Sequence, residues 1–260
     1  MSAAGRESTF ALEDVTVRYA TVTPLAAASC EIHKGDLVAL VGPSGAGKTT
    51  LLRTLNGTVR ASEGIVRVRD RVVQELSTRD LRQLRSQIGF IHQHLGLVPN
   101  LRVVQNVLAG RLGAQSFLQS LRTLLSVSDQ QAEDVHRILD RVGISEKLYE
   151  RTDRLSGGQQ QRVAIARALY QQPMALLADE PVAAVDPTRA RDTITLLTDL
   201  ARERELTLCM SLHKLELARE FFPRLIGLRE GRIVFDRPTT EVTDSEFQQL
   251  YRLGPSETNA

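Results

Sequence analysis

The stretch Gly42-Pro43-Ser44-Gly45-Ala46-Gly47-Lys48-Thr49 restricts the possible folds of this chain more than any other. It fits the phosphate-binding pattern G-x-x-x-x-G-K-[ST] at every fixed position. The apolar run Leu37-Val38-Ala39-Leu40-Val41 before it reads as a buried strand. Thr50-Leu51-Leu52-Arg53-Thr54-Leu55 after it reads as the start of a helix. A strand that runs through a glycine-rich turn into a helix is α/β architecture. The glycines let several N–H groups converge on one anion, and the helix adds its positive N-terminal end. Lys48 supplies a charge for β- and γ-phosphates, and the Thr49 hydroxyl suits Mg²⁺. The alternative is a glycine-rich turn that fits by chance, but the flanking strand and helix count against it.

With 260 residues the chain has room for a full α/β core, as one large domain or a core with a subdomain. The net charge of +2 is nearly balanced, its basic residues are scattered, and only 4% of residues are aromatic, so neither charge nor stacking surface suggests nucleic acid. Cys30 and Cys209 lie far apart and outside any C-x-x-C pair, which points to reduced thiols and a reducing cytoplasm, with Cys209 a small buried hydrophobe. No apolar N-terminal segment reads as a signal peptide, and no apolar run reaches membrane-spanning length. A membrane role for this chain implies a partner that spans the bilayer.

Along the chain, Phe10–Tyr19 and Leu25–Ile32 read as strands. Gly64–Val68 and Arg71–Val73 read as a hairpin around Arg69-Asp70. A short helix is expected at Leu81–Arg85 and a strand at Ile88–Ile91. From Val103 to Val142 the pattern is helical. Phe117, Leu118, Leu121, Leu124 and Leu125 fall at helical spacing, as do Val135, Ile138, Leu139 and Val142, with Gly143 as a stop. This reads as a helical subdomain inserted into the core. Beyond it the pattern predicts a helix over Gln160–Tyr170, a strand at Ala175–Ala178, a helix over Thr193–Glu203 and a strand at Leu206–Leu212. A last hairpin joins Leu225–Leu228 to Arg232–Phe235, and the tail from Gly254 reads as disordered.

Two further motifs carry chemistry. Ala175-Leu176-Leu177-Ala178 is an apolar strand that ends in Asp179-Glu180. A buried parallel strand presents functional side chains at its C-terminal end, where Asp179 can hold Mg²⁺ and Glu180 can polarise an attacking water. Taken alone, two acids there could equally form a solvated turn. In Leu155-Ser156-Gly157-Gly158-Gln159, Ser156 is a helix N-cap, and the glycines permit close approach to free N–H groups. A plain capped helix is the alternative reading.

The phosphate loop, Leu155–Gln159 and Asp179-Glu180, in this order, resemble the ATP-binding subunits of ABC transporters over roughly residues 10–236. The resemblance implies an α/β fold: a P-loop NTPase core of ABC ATPase type with N-terminal antiparallel strands and the inserted helical subdomain. Its expected limits are a single domain over 1–240, with core 8–93 and 159–240, subdomain 94–158, and a C-terminal helix or tail at 241–260. It implies ATP and Mg²⁺ as cofactors. Gly42, Pro43, Ser44, Gly45, Ala46, Gly47, Lys48, Thr49 and Thr50 would bind the nucleotide of one copy, and Ser156, Gly157, Gly158 and Gln159 that of a second copy. It implies that Tyr19 stacks on adenine, with an edge-strand tyrosine as the alternative. It further implies that Gln93 reaches Mg²⁺ and water, and that Thr49 and Asp179 are the other metal ligands. Asp186 couples two ATP sites, a role compatible with capping the helix at Pro187. His213 contacts the γ-phosphate and Glu180 is the general base. His33, His92, His94 and His136 are left to structure or solvent.

Within the family the likeness runs to the subunits of phosphonate importers, through Gln105–Gly113, Ala178–Ala183, Leu55-Asn56-Gly57, Ile226-Gly227-Leu228 and Ile233–Asp236. Ala184 departs from the family by lacking a hydroxyl, which puts fine cross-site coupling in doubt. His92-Gln93-His94-Leu95-Gly96 departs from a phenylalanine-rich form, which leaves importers of phosphite or other reduced phosphorus compounds open; the ATPase subunit of another ABC transporter, for a different small solute or an exporter, is the alternative, because its ATPase parts would look similar. The implied partners are a second copy, integral membrane permease subunits and a periplasmic or surface solute-binding protein, at the cytoplasmic face of a bacterial inner membrane. A DNA-maintenance or translation ATPase of the superfamily would add coiled coils, zinc modules or a second ATPase domain, and none is visible. A silent scaffold would be expected to lose Lys48, Glu180 or His213, all of which are present.

Overall fold

The computed structural model describes residues 6–114, 126–183 and 186–251. Two compact units emerge, one from residues up to Glu75 and from Cys209 onward, the other from Leu76–Leu208.

The first unit opens with β1 (Ser8–Tyr19) and β2 (Val22–His33), a long antiparallel hairpin. In β2 the residues Ala28, Cys30 and Ile32 are buried while Ser29 and Glu31 face out, the period of two expected of a half-buried strand. Phe10 stands opposite both Ile32 and Val68, the latter in β4 (Glu63–Val68), and all three are fully buried. With β5 (Arg71–Val72) the sheet runs β2-β1-β4-β5. Val73, expected to extend that last strand, instead enters a 3-10 turn at Val73–Glu75 and buries its side chain there.

β3 (Leu37–Val41) is buried at every position, as befits a strand covered on both faces. It pairs in parallel with β9 (Arg224–Arg229), Val41 opposite Gly227, and β9 pairs antiparallel with β10 (Arg232–Pro238). The order is β10-β9-β3-β8, where β8 is Thr207–Leu212. The helices of this unit are α1 (Lys48–Leu55), α7 (Leu215–Phe221) and α8 (Asp244–Tyr251). Arg224 clasps the strand ends together. Its guanidinium donates to both carboxylate oxygens of Asp236 at 2.7 Å, to Asp36 at 3.0 Å and to the carbonyl of Glu31 at 2.7 Å.

In the second unit β6 (Ile88–Ile91) and β7 (Ala175–Ala178) run parallel, Ile91 opposite Ala178. Gly89 lets them approach: a Cβ there would meet the Leu176 side chain at 2.6 Å. Around them lie α2 (Thr78–Ser86), α3 (Val103–Leu108), α4 (Asp129–Arg141), α5 (Gly157–Tyr170) and α6 (Pro187–Glu203). Gly143, at φ +71°, closes α4 as its position in the sequence implied. The expected helical run is interrupted, because α3 passes into a 3-10 turn at Ala109–Ala114. Phe117, Leu118, Leu121, Leu124 and Leu125 lie outside the described residues. Asn106, fully buried, binds both the N–H and the carbonyl of Val98 at 2.9 Å and the Thr152 hydroxyl at 2.8 Å. One amide thus secures the loop before α3 and the turn before α5. Two helices start earlier than the apolar pattern suggested, α5 at Gly157 and α6 at Pro187, because their caps rather than their apolar residues begin them.

Candidate nucleotide site

In the first unit the phosphate loop leaves β3 and enters α1 as expected. Gly42, Gly45 and Gly47 have φ of +150°, +77° and +103°. A Cβ at Gly42 would sit 2.1 Å from the Leu228 carbonyl oxygen and one at Gly47 2.3 Å from that of Pro24, so space as well as torsion requires glycine. The Lys48 side chain is 4% exposed and folds back over the loop. Its ammonium donates to the carbonyls of Gly42 at 2.8 Å and Pro43 at 3.0 Å. The N-cap of α1 is Gly47, which has no side chain to cap with, and the first turn of the helix holds no acid. The group that this donor set fits is a polyanion: the Lys48 ammonium, the Thr49 hydroxyl and the positive end of a helix whose own first turn holds no acid. Thr50 lies in the first turn of α1. Tyr19 ends β1 and is 53% exposed, its ring available for stacking. His213 follows β8 directly.

In the second unit the parallel pairing of β6 and β7 sets two loops side by side. The N–H of Asp179 donates to the Ile91 carbonyl at 2.9 Å, so Gln93 and Asp179-Glu180 both leave the C-terminal ends of neighbouring strands. Asp179 is buried, and Glu180 adopts a left-handed φ of +47°. Ser156 caps α5 by accepting from the N–H of Gln159, while the Gln159 side chain returns to the Ser156 N–H in a capping box. Gly157 and Gly158 form the first turn of α5, and a Cβ at either would meet nothing within 4 Å. Asp186 caps α6, accepting from the Arg189 N–H at 3.0 Å. That bond, foremost, and the nearby Arg189 charge hold its carboxyl below the usual range. Ala184 lies outside the described residues.

Three residues that sequence reasoning missed support these loops. Gln161, buried in α5, donates to the Pro181 carbonyl just after Glu180. Arg167, nearer the C-terminal end of α5, donates to the carbonyls of Leu95 and Gly96 beyond Gln93. Tyr251 in α8 reaches the phosphate loop. Each is an ordinary helical residue in sequence, and only the returning chain supplies its partner. Among the described residues no group of three or more His, Cys, Asp or Glu could hold a metal ion.

Residues 25–183 match the ABC transporter family. The chain is 48% identical over 233 residues to a protein from Anaeromyxobacter dehalogenans named phosphonates import ATP-binding protein PhnC, covering 90% of this chain and 46% of that one. The chain therefore spans about half the length of that relative. It is 43% identical over 221 residues to phosphonates import ATP-binding protein PhnC 2 of Oceanobacillus iheyensis, covering 85% of this chain and 86% of the other. Among solved structures it resembles the dimeric ATP-binding cassette MJ0796 in a post-hydrolysis state with ADP and Pi, at TM-score 0.76 and 29% identity, covering 88% of this chain and 98% of that one. It also resembles cbiO1 from Clostridium perfringens, part of the ABC transporter complex cbiONQ, at TM-score 0.79 and 26% identity, with 94% of each covered.

Proposed function

The chain belongs to the ABC transporter family, and from that premise we propose that it is the ATP-hydrolysing motor subunit of an importer for phosphonates or related reduced phosphorus compounds. The observation that carries the ATPase reading is the phosphate loop with its buried Lys48 folded onto the Gly42 and Pro43 carbonyls. The cargo rests on the relatives named as phosphonate import subunits. Import of phosphite or another small solute remains the second reading, favoured by the departures around Gln93.

In the proposed reaction Lys48 and the α1 N-terminus hold the β- and γ-phosphates, Tyr19 stacks on adenine, and His213 contacts the γ-phosphate. Glu180 accepts a proton from the attacking water, in line with the bond that breaks. Thr49, Gln93 and Asp179 would hold a Mg²⁺ ion, which would supply positive charge to offset the charge that develops on the phosphate oxygens. Ser156–Gln159 of a second copy complete each nucleotide site, Asp186 links the two sites, and loss of the γ-phosphate opens the pair. MJ0796, with its dimeric form, offers the precedent for such pairing. Among the described residues no helix is long and apolar enough to cross a membrane. We place the chain at the cytoplasmic face of the inner membrane, on permease subunits served by a solute-binding protein.

Growth of the host on a phosphonate or phosphite as sole phosphorus source tests the cargo. Loss of growth in a strain lacking this chain, rescued by wild type and not by Glu180→Gln, supports the reading; normal growth on every such source removes the cargo assignment. In vitro, Glu180→Gln traps an ATP-bound dimer, visible as a shift in size-exclusion elution with ATP. Wild-type hydrolysis by that variant removes Glu180 as the base.

A further inference from the structure

The phosphate loop is anchored from a place no phosphate-binding pattern names. The N–H of Gly42, the loop's first residue, donates to the Tyr251 hydroxyl at 3.1 Å. That hydroxyl lies 3.5 Å from the carbonyl oxygen of His213, to which it is the donor. One phenol thus joins the start of the loop to the residue after β8. Gly42 is engaged at both ends, since its carbonyl accepts from the Lys48 ammonium at 2.8 Å.

The helix α8 is itself held to the sheet and to α7. Phe247 packs edge-on against Phe235 with ring centroids 5.9 Å apart, and the Arg219 guanidinium sits 4.4 Å above its ring. Arg237 pairs with Glu246 at 3.2 Å, and Arg229 donates to the carbonyl of Gln249. The Tyr251 ring is therefore carried on a fixed element. Burial raises the pKa of its phenol, so the hydroxyl keeps its proton at physiological pH.

We propose that Tyr251 is a positioning residue for ATP hydrolysis: its hydroxyl sets the phosphate loop against the His213 segment so that Lys48 and the His213 imidazole meet the γ-phosphate in one geometry. This rests on the nucleotide roles of Lys48 and His213 given above. Nucleotide affinity comes mostly from the loop amides, the lysine and the adenine platform, all of which survive loss of the phenol. The relative placement of two charge-bearing segments matters most where charge develops, so its loss appears in kcat rather than KM.

The test is Tyr251→Phe in the full transporter reconstituted in proteoliposomes, with wild type and Glu180→Gln beside it. Steady-state ATP hydrolysis, binding of a fluorescent ATP analogue and thermal melting are measured. We expect kcat to fall about three- to tenfold, the rate equivalent of one hydrogen bond, with KM and analogue affinity within about twofold and little change in melting. Phe247→Leu, which loosens α8 and keeps the hydroxyl, is expected to show a smaller loss of the same kind. Wild-type kcat in Tyr251→Phe overturns the proposal, as does a loss that disappears when rates are referred to the folded fraction. If wild type hydrolyses no ATP, the underlying reading falls and the proposal with it; if wild type hydrolyses and Tyr251→Phe equals it, only the proposal falls.

Discussion

Glu180, the proposed general base, sits on a backbone that favours glycine. Its φ of +47° lies in the left-handed region, where a Cβ costs about 1 kcal/mol. The surrounding turn holds it there, through the Gln161 side chain on the Pro181 carbonyl and the Ala183 N–H on the Glu180 carbonyl at 3.2 Å. The torsion disfavours the residue type that the proposed general base requires. Glu180→Ala and Glu180→Gly both lose the carboxylate, but only the alanine keeps the strain. The glycine variant is expected to be more stable by up to about 1 kcal/mol, read as a higher melting temperature, while both fail to hydrolyse ATP. Equal melting of the two would show that the turn imposes no strain.

Single elements carry their own start signals, and these outrank apolar periodicity. The apolar pattern of α6 begins at Thr193, yet the helix begins at Pro187, because Asp186 caps it and proline suits its first position. The Asp186 carboxylate has a pKa below its ordinary value, so its contribution is present above the unfolded pKa of about 3.9 and is lost as pH falls through the folded one. Asp186→Asn keeps a capping oxygen and removes the titration. Its melting temperature is expected to fall less steeply than wild type as pH drops below about 4, in a pH series of thermal melts. A parallel fall in both proteins would put the acid sensitivity elsewhere. The same logic makes α5 begin at Gly157 rather than Gln160, which puts the two glycines of the Ser156 motif into its first turn.

Across the whole molecule the two cysteines report on the core. Burial, above all, pushes the Cys30 thiol up to about 12 and raises Cys209 as well, with the Asp236 charge adding to Cys30. The thiolate is the reactive form, so neither is expected to react with a thiol reagent at pH 8 in the native protein, while both titrate in guanidinium. Rapid native labelling of either would mean that the core opens far more readily than its packing implies. Arg224, bound at once to Asp36, Asp236 and the Glu31 carbonyl, helps to close that core.

What the sequence by itself determined is local. The glycine torsions of the phosphate loop, the caps at Ser156 and Asp186, the stop at Gly143 and the buried strands around Leu37–Val41 and Ala175–Ala178 each depend on residues a few positions apart, so the pattern of a short stretch suffices to read them. The expected end of β5 at Val73 failed because a side chain buried from a turn resembles one buried from a strand in sequence. The tertiary structure alone decided the support of the site. Gln161 on the Glu180 turn, Arg167 on the Gln93 loop and Tyr251 on Gly42 join residues distant along the chain through side chains that would look the same on any amphipathic helix. Their partners are backbone carbonyls and amides, which every residue carries, so no residue type marks the acceptor. Such bonds become specific only when the folded chain brings one peptide group to one side chain.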